Sequence, residues 1–319
     1  MSSHTHSLFY RLTPLIGLFL FSLAAIMIWH SIDAYHWSEI QQALLSIPHP
    51  IILASIMTAL IGYLLLSLYD WLAMTYANET LPYPKVLLAS FLGYAVSNNV
   101  GHPLVSGGTI RYRLYSKWGL SAASIARIIL FCSSSYVVGA VTLLVATYLL
   151  SPSLDLVRHH FPQHVFSFIM GISAILLLAW WGLIIAYHDV PLTIKGFQLF
   201  LPRPSLAVRQ LLVALLDIFI ASFVLYLPLH AAIPIDFSTF LMLYVMAQLM
   251  GLISQVPGGI GVFEGSFLFL THDIYNPASV LAALITCRVA YYFIPLALAG
   301  CIFVIYETIH MIHPSNKNH

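Results

Sequence analysis

The sequence predicts an all-α polytopic membrane protein, and three observations lead to this fold class. Hydrophobic residues make up 60% of the 319-residue chain, whereas charged residues make up only 7%. A soluble globular domain carries about 25% charged residues, so a soluble fold of this length is excluded. Hydropathy finds eight apolar segments, each near the roughly 20 residues that a membrane-spanning helix needs. Two of them are interrupted by glycine and proline.

The eight segments fill the chain, which we interpret as one integral membrane domain over residues 1–319. Their approximate bounds are 12–30, 50–76, 86–105, 121–150, 165–187, 210–230, 237–256 and 279–307. No small-x-small cleavage site follows the first segment, so we expect a retained span rather than a signal peptide. The stretch 33–49 predicts a loop with a short interfacial helix.

The two interrupted segments predict re-entrant helical hairpins at about 86–110 and 237–271. The third segment runs into SNNVGHPLVSGG, which ends with Gly107 and Gly108, and the seventh runs into QVPGGIG, which contains Gly258, Gly259 and Gly261. Glycine and proline at this density break a helix. Broken backbone at membrane depth is tolerated only where it is buried in protein or lines a wet cavity.

The distribution of positive charge supports this topology of about six full spans plus two hairpins. Cytoplasmic loops are enriched in Lys and Arg. With both termini cytoplasmic, Arg158 is the single charge of this kind outside, and Arg127 and Arg288 lie within the membrane. The cytoplasmic set is then Arg11, Lys85, Arg111, Arg113, Lys117, Lys195, Arg203, Arg209 and Lys317. The two hairpins enter from opposite faces.

The same topology predicts an inverted repeat, with halves of about 1–155 and 156–319. Each half reads span, span, hairpin, span, and three spans in the first half invert the second. Inverted repeats whose discontinuous helices meet near the midplane are a recurrent transporter architecture.

Charged side chains at membrane depth are the first candidate site residues, because each costs about 2.5–3.5 kcal/mol to insert. Glu264 and Arg288 are both expected near the midplane, either as a buried ion pair that locks the second hairpin to the last span or as a polar station for a lipid headgroup. Asp70 and Asp217 are expected to pair with Arg127 or Arg113, or to carry protons.

Other polar residues near the hairpins are candidates with two interpretations. Arg111 and Arg113 either set topology at the inner-leaflet surface or contact a lipid phosphate directly. The cluster Asn98, Asn99 and His102 either satisfies freed backbone groups or hydrogen-bonds a substrate. Tyr291, with Tyr244 and Tyr292, either packs or lines a cavity.

Two further partner classes find no support in the sequence. His159, His160 and His164 share a helical face, but no carboxylate or thiol joins them in a metal-ligand pattern, so no metal or other cofactor is expected. The net charge of +1 gives no basis for a nucleic-acid partner.

Three motifs carry a family resemblance. The segments SNNVGHPLVSGGTIRYRLYSKWGLS, VPGGIGVFEG and CRVAYYFIP resemble, in this order, signatures of the membrane domain of bacterial lysylphosphatidylglycerol synthase/flippase proteins, the multiple peptide resistance factors. The resemblance covers essentially the whole chain and implies a flippase-like domain of the bacterial inner membrane that translocates phospholipid. It implies as translocation-path residues Gly107, Gly108, Arg111, Arg113, Gly258, Gly259, Glu264 and Arg288.

The aminoacyl-transferase domain of the full-length family members is expected to be absent, so lipid aminoacylation is not expected. The leading hypothesis is therefore a phospholipid flippase for an anionic or aminoacylated lipid, with a homodimer as one candidate assembly. The first alternative is an accessory subunit that presents lipid to a separate lipid-modifying transferase. The second is an ion-coupled transporter of small solutes. No serine or cysteine nucleophile stands with a base, so an enzyme is not expected.

Overall fold

The computed structural model describes residues 37–100, 106–150, 162–188, 190, 192–194, 197–254, 256–271 and 274–312. Within these ranges the protein is almost entirely helical, and six helices are long and apolar enough to cross a membrane. The all-α polytopic class predicted from the sequence is thereby confirmed. The predicted first span at 12–30, His102, Arg158 and both chain termini lie outside the described residues.

The helices follow the predicted segments closely. They are α1 (Trp37–Ser46), α2 (His49–Ala77), α3 (Tyr83–Val100), α4 (Ser106–Lys117), α5 (Ala122–Leu150), α6 (Gln163–Tyr187), α7 (Pro204–Ala232), α8 (Phe237–Ser254), α9 (Val262–Thr271), α10 (Pro277–Cys287) and α11 (Ile294–Ile312). A π-helical segment, Arg288–Phe293, joins α10 to α11 in one long span. Two short antiparallel strands, β1 (Leu192–Ile194) and β2 (Phe197–Leu199), were not predicted.

Proline and asparagine fix several helix ends. α2 starts after Pro48, with a second proline in its first turn, and it ends at Asn78 in the left-handed conformation with φ of 56°. The Asn276 side chain accepts hydrogen bonds from the backbone N–H groups of Ala278 and Ser279, at 2.8 and 3.4 Å, and so caps α10. Proline is favoured in a first turn because its missing N–H has no partner there in any case.

Each interrupted segment forms a helical hairpin, defined here by its two limbs. The first hairpin consists of α3 and α4, and the second of α8, a 3-10 turn at Pro257–Gly259, and α9. The two limbs pack against each other in both cases. The first hairpin runs to Lys117, beyond its predicted end near residue 110, because the sequence IRYRLYSK continues the helix. Arg111 and Arg113 therefore belong to the hairpin limb itself.

The remaining helices enclose the hairpins. α2 and α7 pack extensively on each other, and α5, α8 and α10 contact one or both of them. α6 packs on α5 and only slightly on α7, so most of its apolar side chains are exposed. An apolar outer surface of this kind suits the hydrocarbon of a bilayer, and the chain is a multi-pass membrane protein. α1 is the short helix expected between the first two spans, and it packs on α10.

Candidate functional site

A cavity of about 380 Å³ lies where the two hairpins meet. Its wall is built from α2, α3, α4, α5, α7, α8, the 3-10 turn and the π-helical segment. Eight of the residues singled out from the sequence line it, namely Asn98, Arg111, Asp217, Tyr244, Gly258, Gly259, Tyr291 and Tyr292. The cavity is therefore the candidate functional site.

One buried ion pair fastens the first hairpin to α2. The guanidinium of Arg111 donates to both carboxylate oxygens of Asp70 at 2.8 Å, and the Tyr115 hydroxyl donates to Asp70 at 2.8 Å. Arg111 also stacks over the Tyr94 ring, 4.3 Å from its centroid. Both charged side chains are almost completely buried. A two-pronged pair of this kind is among the strongest contacts a protein can make, because its donors and acceptors match in geometry.

This pair corrects two sequence-based expectations. Asp70 binds Arg111, whereas Arg113 or Arg127 was expected, and Arg111 is buried, whereas one interpretation placed it at the membrane surface. Arg113 instead pairs with Glu307 of α11 at 3.0 Å. Arg127 lies half-buried near the start of α5 and interacts electrostatically with Tyr76. Neither Arg113 nor Arg127 lines the cavity.

A second buried ion pair fastens the second hairpin to the last span. Arg288 donates to one carboxylate oxygen of Glu264, and the other oxygen accepts from the backbone N–H of Gly261 at 2.8 Å. Arg288 also donates to the Gly258 carbonyl at 3.1 Å and lies over the Tyr292 ring. The structure thus brings together the two residues that the sequence placed at similar depth, and it ties both to the glycine turn.

The two hairpins touch at their tips, a term used here for the end of α3 at Asn98 and Asn99 and for the turn at Gly258. A Cβ atom added to Gly258 would lie 2.9 Å from the carbonyl oxygen of Asn98 and 3.1 Å from that of Asn99. Gly258 also has φ of 61°, a conformation that other residues rarely adopt. Only glycine fits both demands, which explains its place at this contact.

The π-helical segment lies beside this contact and holds the first tip. The Asn99 side chain donates to the Tyr292 carbonyl at 3.2 Å, and the Asn98 side chain donates to the Tyr63 hydroxyl, also at 3.2 Å. Tyr63 in turn donates to the Tyr291 carbonyl at 3.1 Å. A π turn leaves carbonyls without their usual α-helical partners, so side chains from neighbouring helices take them up.

The glycines of the first hairpin allow its two limbs, α3 and α4, to pack closely against each other. A Cβ atom on Gly107 would lie 2.8 Å from the Gly93 carbonyl oxygen and 2.9 Å from the Ser97 Cβ. Gly108 is buried beside it. In the second hairpin, Gly259 and Gly261 have φ of 60° and 80°, so they turn the backbone between the two limbs.

Asp217 stands apart from the other buried acids. It is 3% exposed, it lines the cavity, and its Oδ2 accepts a hydrogen bond from the Tyr69 hydroxyl at 3.0 Å. Its Oδ1 is buried and has no hydrogen-bond partner. Among the residues that the structure describes, no Lys or Arg lies within ion-pair distance of it, so the expected arginine partner was wrong.

Sequence reasoning missed half of the six tyrosines that line the cavity. Tyr244, Tyr291 and Tyr292 were considered, whereas Tyr69, Tyr94 and Tyr136 were not. Gln248, whose side chain donates to the Tyr244 hydroxyl at 2.8 Å, was also missed. Because 13% of the chain is aromatic, a tyrosine alone gives little signal in the sequence. Gln248 is a polar residue within an apolar run of α8, so the sequence did contain a signal for this member of the site.

Comparison with known proteins places the chain in a family. Residues 15–299 match the model of the lysylphosphatidylglycerol synthase TM region. An uncharacterized protein of Synechocystis, slr0712, is 36% identical over 89% of this chain and 88% of its own length. The inner membrane protein YbhN of Escherichia coli is 29% identical over 94% of both chains. A phosphatidylglycerol lysyltransferase of Staphylococcus haemolyticus is 27% identical over 74% of this chain and 27% of its own length.

The family match covers both hairpins, the cavity they enclose and both buried ion pairs. The three motifs that carried the resemblance in the sequence lie within it as well. The chain is therefore a member of the lysylphosphatidylglycerol synthase transmembrane-region family.

Proposed function

We propose that this protein moves phospholipid between the leaflets of the bacterial inner membrane, with the headgroup passing through the cavity between the hairpin tips. The observation that carries this proposal is the cavity itself, a mostly apolar space with the polar side chains of Asn98, Arg111 and Asp217 on its wall, where two broken helices touch. Such a space lets a headgroup leave water without losing all of its polar partners. The function is one of transport rather than catalysis.

The size of the cavity supports a headgroup as cargo. Sites for small ligands have volumes of about 300–1,000 Å³, and a cavity of about 380 Å³ lies at the lower end of this range. A whole diacyl lipid is larger, so the acyl chains would stay in the bilayer while the headgroup crosses. The relatives named phosphatidylglycerol lysyltransferase support an anionic or aminoacylated phospholipid as the cargo class.

We further propose that both hairpins are re-entrant and enter from opposite faces, with both termini cytoplasmic. The short limbs α4 and α9 contain 12 and 10 residues. At 1.5 Å per residue they reach about 18 and 15 Å, roughly half of a hydrocarbon core about 30 Å thick. Limbs of this length suit tips that meet near the midplane. The inner membrane protein of E. coli among the relatives supports the location.

We propose the inverted repeat on the basis of the same arrangement. Each half has a long helix before its hairpin, α2 or α7, and another after it, α5 or the α10–α11 span. The two preceding helices, α2 and α7, pack on each other and share the Tyr69–Asp217 hydrogen bond. A pseudo-twofold arrangement brings equivalent helices together in this way.

The two ion pairs would then hold the hairpins against their neighbouring helices, and they would not form a continuous charged path for the lipid headgroup. Glu264 and Arg288 hold the turn at Gly258, so their release would free the second tip to move away from the first. Arg111 is committed to Asp70 but also faces the cavity, where it can attract a lipid phosphate.

The experiment is a leaflet-specific lipid assay with purified protein in liposomes. Labelled phosphatidylglycerol, lysyl-phosphatidylglycerol and phosphatidylethanolamine are tested separately, with protein-free liposomes as the reference. We expect faster exchange of at least one lipid between leaflets. Exchange no faster than in protein-free liposomes for every lipid would overturn the proposal. A role in presenting lipid to a separate transferase would then be tested by co-purification of such an enzyme.

A further inference from the structure

Three carboxylates are buried in the described part of the membrane domain near the hairpins, and two of them are neutralised. Asp70 binds Arg111 through both oxygens, and Glu264 binds Arg288. Asp217 has neither arginine, and its one protein hydrogen bond comes from the neutral Tyr69 hydroxyl. The walls of the cavity therefore carry one negative charge that no described cation compensates.

The surroundings of Asp217 make this charge costly. The side chain is 3% exposed, and its Oδ1 has no hydrogen-bond partner. A carboxylate taken out of water without a cation is destabilised by several kcal/mol or more, and such a group is usually neutralised by taking up a proton. The Asp217 side chain lines the cavity although its Oδ1 atom is buried, so the unpartnered carboxylate stands beside the space through which a proton would arrive.

The neighbouring titratable groups do not supply the missing charge. Those that line the same cavity, from α2, α3, α5, α8 and the π-helical segment, are tyrosines and one cysteine, whose side chains are ordinarily neutral at physiological pH: Tyr69, Tyr94, Cys132, Tyr136, Tyr244, Tyr291 and Tyr292. The Tyr136 and Tyr291 hydroxyls interact electrostatically with Asp217. The cation that lines the cavity is Arg111, and both of its bonded nitrogens face Asp70. The Cys287 thiol on α10, which packs on α7, is also neutral.

We propose that Asp217 is a proton-binding site that couples transport to a proton gradient. The inference rests on the transport function proposed above and adds its energy source. In the step, one proton from water adds to Oδ1 of the carboxylate and gives a neutral carboxylic acid. Release of the same proton to the opposite side regenerates the carboxylate. Asp70 and Glu264 cannot serve in this way without giving up an ion pair.

The first test measures proton binding without any lipid transport. Infrared difference spectra of the purified full chain, recorded as pH is changed, report the carbonyl stretch of a protonated carboxyl group. All protonated carboxyl groups contribute such bands, and we expect one pH-dependent component of the wild-type spectrum to be lost in Asp217→Asn. The matched control is Asp236→Asn, the same change at an exposed carboxylate outside the spans, which should keep this component. Asp217→Glu should keep a titrating band, and this variant guards against misfolding of the asparagine variant.

The second test measures coupling in liposomes with an imposed pH gradient. We expect the gradient to speed lipid movement severalfold in the wild type and in Asp236→Asn, and to have no effect in Asp217→Asn. An Asp217→Asn spectrum with every pH-dependent component of the wild type still present would overturn the proton site. Transport that ignores the gradient in the wild type, or that responds to sodium instead, would overturn the coupling.

If no lipid moves under any gradient, the transport function itself fails, and the coupling fails with it. The infrared band still decides by itself whether Asp217 binds a proton. The two failures are therefore distinguishable.

Discussion

The two hairpins are built on the same plan with the charges exchanged. In the first, the arginine lies on the hairpin and the acid on the neighbouring helix, as Arg111 and Asp70. In the second, the acid lies on the hairpin and the arginine on the neighbouring span, as Glu264 and Arg288. Both pairs are buried, and the second also reaches the contact between the tips, since Arg288 donates to the Gly258 carbonyl.

The difference lies in what else each pair holds. Asp70 accepts two hydrogen bonds from Arg111 and a third from Tyr115, so the hydrogen bonds of the first pair stay among these three side chains. The second pair reaches into the turn, since Glu264 accepts from the Gly261 N–H and Arg288 donates to the Gly258 carbonyl. The Nη2 atom of Arg288 is buried without a hydrogen-bond partner. The first pair thus holds α4 rigidly against α2, whereas the second pair holds the turn of the second hairpin.

The largest expected effect comes from breaking the first pair. Asp70→Ala leaves the buried Arg111 charge without its partner, which should lower the free energy of unfolding by about 3–5 kcal/mol. Unfolding followed in detergent micelles measures it. The control is Arg113→Ala, which removes the more exposed pair with Glu307 and should cost about 0–1 kcal/mol. Equal losses for the two variants would contradict the rigid role of the first hairpin.

The second pair should show its effect in transport. Glu264→Gln and Arg288→Ala should each slow lipid exchange in liposomes by more than about tenfold, which corresponds to about 1.4 kcal/mol. Because the two groups contact each other, the double variant should be little worse than either single one, with a coupling of about 0.5–3 kcal/mol. Full additivity would show that the two side chains do not act as a pair.

The turn of the second hairpin gives a further test of how the two hairpins contact each other. Gly258→Ala places a side chain in a left-handed conformation, which costs about 1–2 kcal/mol, and pushes it against the Asn98 carbonyl. Gly265→Ala is the matched control, because open space surrounds that helical position and alanine favours a helix by about 0.5–1 kcal/mol. Melting curves in micelles should therefore move in opposite directions. Shifts of the same sign would argue against contact between the tips.

The smallest effect concerns the start of the second hairpin. Asp236 accepts hydrogen bonds from the Ser238 hydroxyl and from the backbone N–H groups of Ser238 and Thr239, and these bonds lower the pKa of its carboxyl group. Because the folded-state pKa is lowered, the stabilisation is present above the ordinary value of 3.8 and is lost as pH falls through the lowered one. Asp236→Ala should cost about 1 kcal/mol at neutral pH.

This cost should vanish when unfolding is measured at a pH low enough to protonate Asp236. A loss that stays constant across pH would mean that the carboxylate does not cap α8.

The sequence predicts some parts of the site well because they depend on position along a helix. Counting residues from the helix ends placed Glu264 and Arg288 at one depth, and the structure pairs them. Glycine and proline also predicted both hairpins, because the break that they cause in a helix depends on their own position in the sequence. Depth does not tell which way a helix faces, however, so the partner of Asp70 was predicted wrongly.

Other parts of the site depend on contacts between distant segments. The π turn that presents the Tyr291 and Tyr292 carbonyls has no signal in the local sequence, and its partners Tyr63 and Asn99 come from more than 190 residues away in the chain. The unpaired state of Asp217 is likewise a property of the assembled cavity. Such features arise only when the helices pack.

If a lipid headgroup crosses through the cavity between the hairpins, a large side chain placed in that cavity should stop transport. Ala221 lines the cavity on α7, whereas Ala179 lies on the exposed surface of α6. Lipid exchange in liposomes is compared for Ala221→Phe and Ala179→Phe, with correct folding checked by unfolding in micelles. We expect Ala221→Phe to block exchange and Ala179→Phe to leave it at the wild-type rate. Exchange at the wild-type rate in a folded Ala221→Phe protein would contradict a lipid path through this cavity.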